Sequence, residues 1–248
     1  MSSESDGVQT TGVPEEPTTK KRERPKWEQN AVERLKLAIK KYSKPLSDLA
    51  ARDANEGDTR LLVTDFLCDG LGYDKFTDLT TEYSVKGEFA DFGVRIDGEM
   101  VAFIEVKRTN TKLGAKQLRQ VQSYAANEGV EWMILTNGAE WHVYHLSTTV
   151  PLVNELLFSV DLLGPESTPS KAAALLYLSR EAMKKNHIDD LWRTKRATSP
   201  KSLGEVLRSE AVIEAIRQEL RRSTGHRIEP AEILRLLEET VVRPECLQ

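Results

Sequence analysis

Cysteine is scarce: Cys68 and Cys246 are the only two in 248 residues, and they lie far apart. Their number and spacing exclude a disulfide framework and a cysteine metal cluster, and reduced thiols in the cytoplasm are expected. No apolar run approaches the roughly 20 residues that span a bilayer, so no membrane partner is expected. The N-terminus is polar and acidic before it turns basic, which is not the layout of a signal peptide. An excess of one charge is also missing, since 35 Lys and Arg face 39 Asp and Glu. Whole-chain charge therefore neither requires nor forbids nucleic acid, and the local distribution decides. The chain lacks a Gly-x-x-x-x-Gly-Lys-Ser/Thr phosphate loop, which excludes an ATP-driven motor of that type. Histidines form no cluster: His142 and His145 lie on one expected strand without a third ligand nearby in sequence. Aromatic residues do not repeat as a single-strand stacking platform would, and Trp132 and Trp141 are expected in the core.

What is present fits a globular core with polar appendages, 39% hydrophobic and 30% charged. Residues 1–26 read as a disordered tail, 27–164 as an α/β domain, and 165–248 as a helical extension. Within the tail, KKRERPK at Lys20 to Lys26 is a local +4 patch, suited either to phosphate contact or to solubility. From Trp27 the apolar positions Ala31, Leu35, Ile39 and Tyr42 predict a helix ending before Pro45. A second helix is predicted from Thr59 to Asp69, with Glu56 and Asp58 at its positive end. A strand follows near Thr80 to Val85. Two strands then flank the Asp97-Gly98 turn, and a helix is expected from Ala115 to about Ala126. Strands Glu131 to Thr136 and Glu140 to Leu146 flank Asn137-Gly138, with an edge strand near Val153 to Val160. This order gives a mixed β-sheet flanked by helices. Beyond Gly164-Pro165, helices are predicted over Lys171 to Lys185, Asp189 to Arg193, Leu203 to Arg222 and Pro230 to Val242. The end from Pro200 carries eight Lys and Arg against nine Asp and Glu, so it suits packing or dimerisation better than DNA.

The organising stretch is Ala90 to Tyr124. Its most apolar strand, Met100 to Ile104, runs straight into Glu105 and Lys107, which alternation places on one face, while Asp91 lies near the start of the neighbouring strand. Two converging carboxylates repel each other and are costly to desolvate, and a divalent cation relieves both problems. Oxygen ligands without His or Cys suit Mg²⁺ or Mn²⁺. Lys107 would then face the same cleft and either position the attacking water or meet negative charge developing on phosphorus. The plainer alternative is a buried ion pair that holds the hairpin. Downstream there is no acid between Glu105 and Glu128, whereas Lys107, Arg108, Lys112, Lys116 and Arg119 are basic. A basic loop and helix face beside an acidic metal site is what a phosphate backbone needs.

Asp91 followed by Glu105-Val106-Lys107 across a hairpin resembles the PD-(D/E)xK nuclease superfamily. Gln120-x-x-x-Tyr124, LTNGAEWHVY at Leu135 to Tyr144, and GDTRLLVTDFLCDGLGYD at Gly57 to Asp74 narrow the resemblance to the N-terminal nuclease domain of type I restriction enzyme R subunits. It covers roughly Ala50 to Asp161. It implies a restriction-endonuclease-like fold and a Mg²⁺-dependent DNA endonuclease of a restriction or defence system. By position, Asp91, Glu105 and the Val106 carbonyl would bind metal and Lys107 would be the catalytic lysine. Gln120 and Tyr124 would order the site and contact DNA. Glu56 would complete the acids, with Glu82 as its competitor. Ala90 stands where the superfamily motif has proline. The alternatives are a non-catalytic nucleic-acid-binding module, or a regulatory subunit that binds a methyltransferase or helicase through Leu203 to Val242. A nuclease cutting both strands would need two sites, hence a homodimer through the C-terminal helices.

Overall fold

The Asp97-Gly98 turn closes the hairpin at the centre of the sheet. The computed structural model describes residues 24–85, 88–147 and 152–246. In it Asp97 and Gly98 have φ of 52° and 92°, the positive values a tight primed turn requires. The turn joins β2 (Glu88–Ile96) to β3 (Glu99–Val106), and β1 (Leu79–Val85) pairs antiparallel on the far side of β2. A parallel neighbour cannot be reached by a short turn. The chain therefore crosses over through α3 (Ala115–Glu128) before β4 (Trp132–Thr136) lies parallel to β3. β5 (Glu140–Leu146) and β6 (Asn154–Asp161) complete a six-stranded mixed sheet in sequential order.

Alternation along the strands divides the core between two faces. Ala102, Ile104 and Val106 pack with Phe92, Val94, Ile134 and Trp141 in a large cluster. That cluster is closed by α1 (Lys26–Ala51) and α2 (Glu56–Asp69). Phe103 and Met133 point the other way, against Leu118, Val121, Tyr124 and Ala125 of α3. Trp132 and Trp141 both lie in the large cluster, as expected. Asn137-Gly138 forms the second turn, with Gly138 at φ 85°. A side chain there would meet Leu46 of α1 at 2.9 Å, so this position needs glycine for space as well as for conformation.

The structure corrects the predicted end of α1, which runs through Pro45 to Ala51. Proline removes one backbone hydrogen bond from a helix. The continuation is held by Leu46 and Leu49, both buried beyond the proline.

The C-terminal helices are also more broken than predicted. Lys171 to Lys185 divides into α4 (Thr168–Leu175), a short 3-10 turn, and α5 (Arg180–Lys184). Ser179 interrupts it: its hydroxyl donates to the Leu176 carbonyl and accepts from the Ala182 N–H, capping the next helix. The segment predicted as Asp189 to Arg193 is longer, forming α6 (His187–Ala197). Leu203 to Arg222 divides into α7 (Pro200–Leu207) and α8 (Glu210–Thr224) at Ser209, whose hydroxyl binds the Val206 carbonyl. α9 (Pro230–Leu236) ends in one wide turn at Leu237–Val241. Ala172, Leu175, Met183 and Trp192 of α4 to α6 lie in the same buried cluster as Leu35 of α1. Leu203, Val206 and Leu207 of α7 remain exposed, whereas Ile213 is buried. Among the described residues no helix is long and apolar enough to cross a membrane. Residues 1–23 of the expected disordered tail, and with them the basic patch before Arg24, lie outside the described residues, whereas Lys26 at the expected end of the tail already opens α1.

Candidate active site

Regular β2–β3 pairing extends to Phe92 opposite Ile104. One residue further along β2, the Asp91 side chain contacts the opposite strand: its Oδ2 accepts a 2.7 Å hydrogen bond from the Val106 N–H. This bond fixes the carboxylate against the end of β3, where Glu105 is 1% exposed. Lys107 follows β3 directly, and its N–H donates to the Thr136 carbonyl of β4 at 2.8 Å. Its Nζ lies 2.6 Å from Glu105 Oε1 and 3.4 Å from Gln120 Oε1. Gln120 in turn donates through Nε2 to the Tyr124 hydroxyl at 2.9 Å, one helical turn along α3. The fold thus brings Asp91, Glu105, Val106, Lys107, Gln120 and Tyr124 to one place. Arg108, Lys112, Lys116 and Arg119 lie along the loop and helix that follow.

Burial sets the electrostatics. It raises the Asp91 carboxyl, while the Val106 N–H and the charges of Arg60 and Lys107 pull in the other direction and leave a net rise. Burial raises Glu105 more strongly, to about 7, helped by the negative charge of Asp91 and opposed by Lys107. For Lys107, burial favours the neutral amine, but its hydrogen bond to Glu105 and the surrounding carboxylates outweigh that and raise it overall. Glu105 Oε2 is buried with no hydrogen-bond partner among the described residues. An orphaned carboxylate oxygen is costly to bury. With the charge of a second acid acting on the same carboxyl, it is the kind of donor a hard cation satisfies, so the residues present fit a divalent metal.

Glu56 opens α2, whose N-cap Asn55 accepts from the Asp58 N–H. It lies 3.9 Å from Lys107 Nζ and 3.7 Å from Arg60. Glu82 is more remote: its carboxylate is 3.7 Å from Arg60, its side chain is 72% exposed, and its φ is 50°. Glu56 is therefore the acid nearer the lysine. Among the described residues no group of three or more His, Cys, Asp or Glu is arranged to hold a metal. The carboxylates instead meet Arg60, a residue to which sequence reasoning gave no role. Its Nη2 is 2.6 Å from Asp91 Oδ1. The signal was available, because Arg60 stands four residues after Glu56 and so shares its helix face.

The basic loop is tied down at three points. Thr109 and Thr59 of α2 share a buried hydroxyl hydrogen bond. Asn110 donates to the Ala50 carbonyl, and Asn137 donates to the Thr111 carbonyl. Arg108 lies 3.6 Å from Asp53. Lys112, Lys116 and Arg119 are exposed, with no carboxylate partner among the described residues. His145 stacks on Trp192 at 4.3 Å, and His142 sits beside Glu140.

A mixed sheet whose central hairpin carries an aspartate and a Glu-x-Lys pair resembles the PD-(D/E)xK nuclease superfamily. Residues 55–156 match the family described as Type I restriction enzyme R protein N terminus. That stretch is less than half of the chain and runs from the start of α2 into β6, enclosing every residue of the site. Over it the chain resembles the nuclease domain at the N-terminus of type I R subunits. No curated protein and no solved structure matches the chain.

Proposed function

We propose that the chain is a Mg²⁺-dependent DNA endonuclease of a restriction or defence system, with Mn²⁺ as a substitute metal. The observation that carries this reading is the buried Glu105 Oε2, without a hydrogen-bond partner among the described residues and on a carboxyl that the Asp91 charge raises, with Lys107 2.6 Å from the other Glu105 oxygen. Asp91, Glu105 and the Val106 carbonyl would hold the ion, with Glu56 as the additional acid. When bound, a divalent cation there supplies Lewis-acid polarisation of a phosphoryl oxygen and activates water. Lys107 brings a fixed positive charge to the phosphate, where negative charge develops as the phosphodiester bond breaks. Gln120 holds the lysine by its carbonyl, and Tyr124 holds Gln120, so rotamer freedom around the ammonium is lost before DNA arrives. Arg108, Lys112, Lys116 and Arg119 would meet the DNA backbone, since the last three have no acid to neutralise them among the described residues.

The test is conversion of supercoiled plasmid, prepared with and without methylation, in Mg²⁺ or in chelator. Cleavage by the wild type in Mg²⁺ and none by Asp91→Ala is expected. Equal cleavage by both would remove Asp91 from the site. DNA binding by wild type and variant alike, without cleavage in either, would favour the non-catalytic binding module. The exposed apolar residues of α7 support a protein interface there, for a second copy or for a methyltransferase or helicase subunit. Light scattering that showed only monomer, alone and on DNA, would remove the homodimer. A defence nuclease meets foreign DNA in the cytoplasm, which is where we place it.

A further inference from the structure

Both acids of the site are neutralised from within, but unequally. Glu105 gives one oxygen to Lys107 and keeps Oε2 without a partner among the described residues. Asp91 has both oxygens engaged: Oδ2 takes the Val106 N–H at 2.7 Å and Oδ1 takes Arg60 Nη2 at 2.6 Å. A cation entering beside Glu105 Oε2 and reaching Asp91 therefore meets a carboxylate whose charge the Arg60 guanidinium already neutralises at Oδ1.

Resting on the metal-site reading above, we propose that Arg60 is the site's internal counter-ion. Its guanidinium occupies the cation's place on Asp91 in the metal-free protein and withdraws from Oδ1 when a divalent cation binds. Arg60 is a positioning residue in this account, since it acts through Asp91. Three features make the exchange workable. The guanidinium is held mainly at one end, for its contacts with Glu56 and Glu82 are both loose at 3.7 Å. Its Nε is buried without a hydrogen-bond partner among the described residues, so the side chain is not fully satisfied where it sits. It also lines a groove of about 740 Å³, with Gly57, Thr64, Lys75 and Phe92, into which it has room to move. Withdrawal leaves it near Glu56 and Glu82, so its charge is not abandoned. The exchange weakens metal binding by the free energy of the Arg60–Asp91 pair.

The experiment is titration of the full chain with Mn²⁺ alone, without DNA, reading free Mn²⁺ by electron paramagnetic resonance. Arg60→Gln is expected to bind Mn²⁺ roughly tenfold or more tightly than wild type. Arg60→Lys keeps a charge but loses the planar fork, and is expected to tighten binding by a smaller factor. A merely structural arginine would not produce tighter binding when removed. Circular dichroism establishes that each variant is folded, and either folded variant carries the test. Binding no tighter than wild type in the folded variants would overturn the proposal while leaving the metal site intact. Failure of all three proteins to bind, or binding unchanged by Asp91→Ala, would overturn the metal site and the proposal with it.

Discussion

Replacing Glu105 with glutamine removes the charge that the fold tolerates least. The wild-type carboxyl rises from its ordinary 4.5 to about 7 on folding, chiefly through burial and then through Asp91. Below pH 4.5 both folded and unfolded chains carry the proton, and the group contributes nothing to the pH dependence. Between 4.5 and 7 the unfolded chain loses the proton first, so the folded state binds more protons and stability falls as pH rises. Above pH 7 the full cost is present, on the order of 3 kcal/mol. Glutamine has the same shape and can still accept from Lys107, but it forgoes the charge-assisted part of that bond. Urea unfolding in chelator at pH 5 and pH 8 therefore should show Glu105→Gln gaining on wild type by about 1–3 kcal/mol between the two. Adding Mg²⁺ should stabilise wild type more than the variant, because a ligand stabilises the state that binds it. A stability difference that did not change with pH would refute the argument that burial of this charge governs the site.

Three further outcomes follow from other contacts. Tyr124→Phe removes the acceptor of the Gln120 amide and should slow cleavage by a factor of about 2–10 with DNA affinity unchanged; lost affinity at an unchanged rate would place Tyr124 at the DNA instead. Changing Lys112, Lys116 and Arg119 together to glutamine should reduce the slope of log affinity against log salt by about three, and an unchanged slope would place DNA elsewhere. Pro45→Ala restores a helix N–H at an exposed position and should raise stability in urea by on the order of 1 kcal/mol, a loss indicating that the proline's rigidity matters more.

The parts of the fold legible in the sequence are those with local causes. Asp97-Gly98 and Asn137-Gly138 name their turns because few residues accept positive φ, and alternation around them sets which side chains face each helix layer. Glu105 and Lys107 stood out because charge at the end of Met100 to Ile104 conflicts with the pattern around it. What was hidden depends on tertiary contact. Pro45 looked like a helix end, yet burial of Leu46 and Leu49 carries α1 past it. Ser179 and Ser209 fit an apolar stripe as well as a break, and only the packing of the following helix decides between them. The spacing from Glu56 shows which helix face Arg60 shares, but not its partner, since Asp91 is distant in sequence and becomes adjacent only when α2 closes over the hairpin.

Lys107 gives the most direct test, because it is the residue that an inert ion pair and a hydrolytic site use differently. The measurement is the rate of supercoiled plasmid cleavage in Mg²⁺ at saturating protein, wild type beside Lys107→Ala. Cleavage slowed by roughly 10²–10³ in the variant, with DNA still bound, is the predicted result. Equal rates in the two proteins, or no cleavage of methylated or unmethylated plasmid by either, would contradict it.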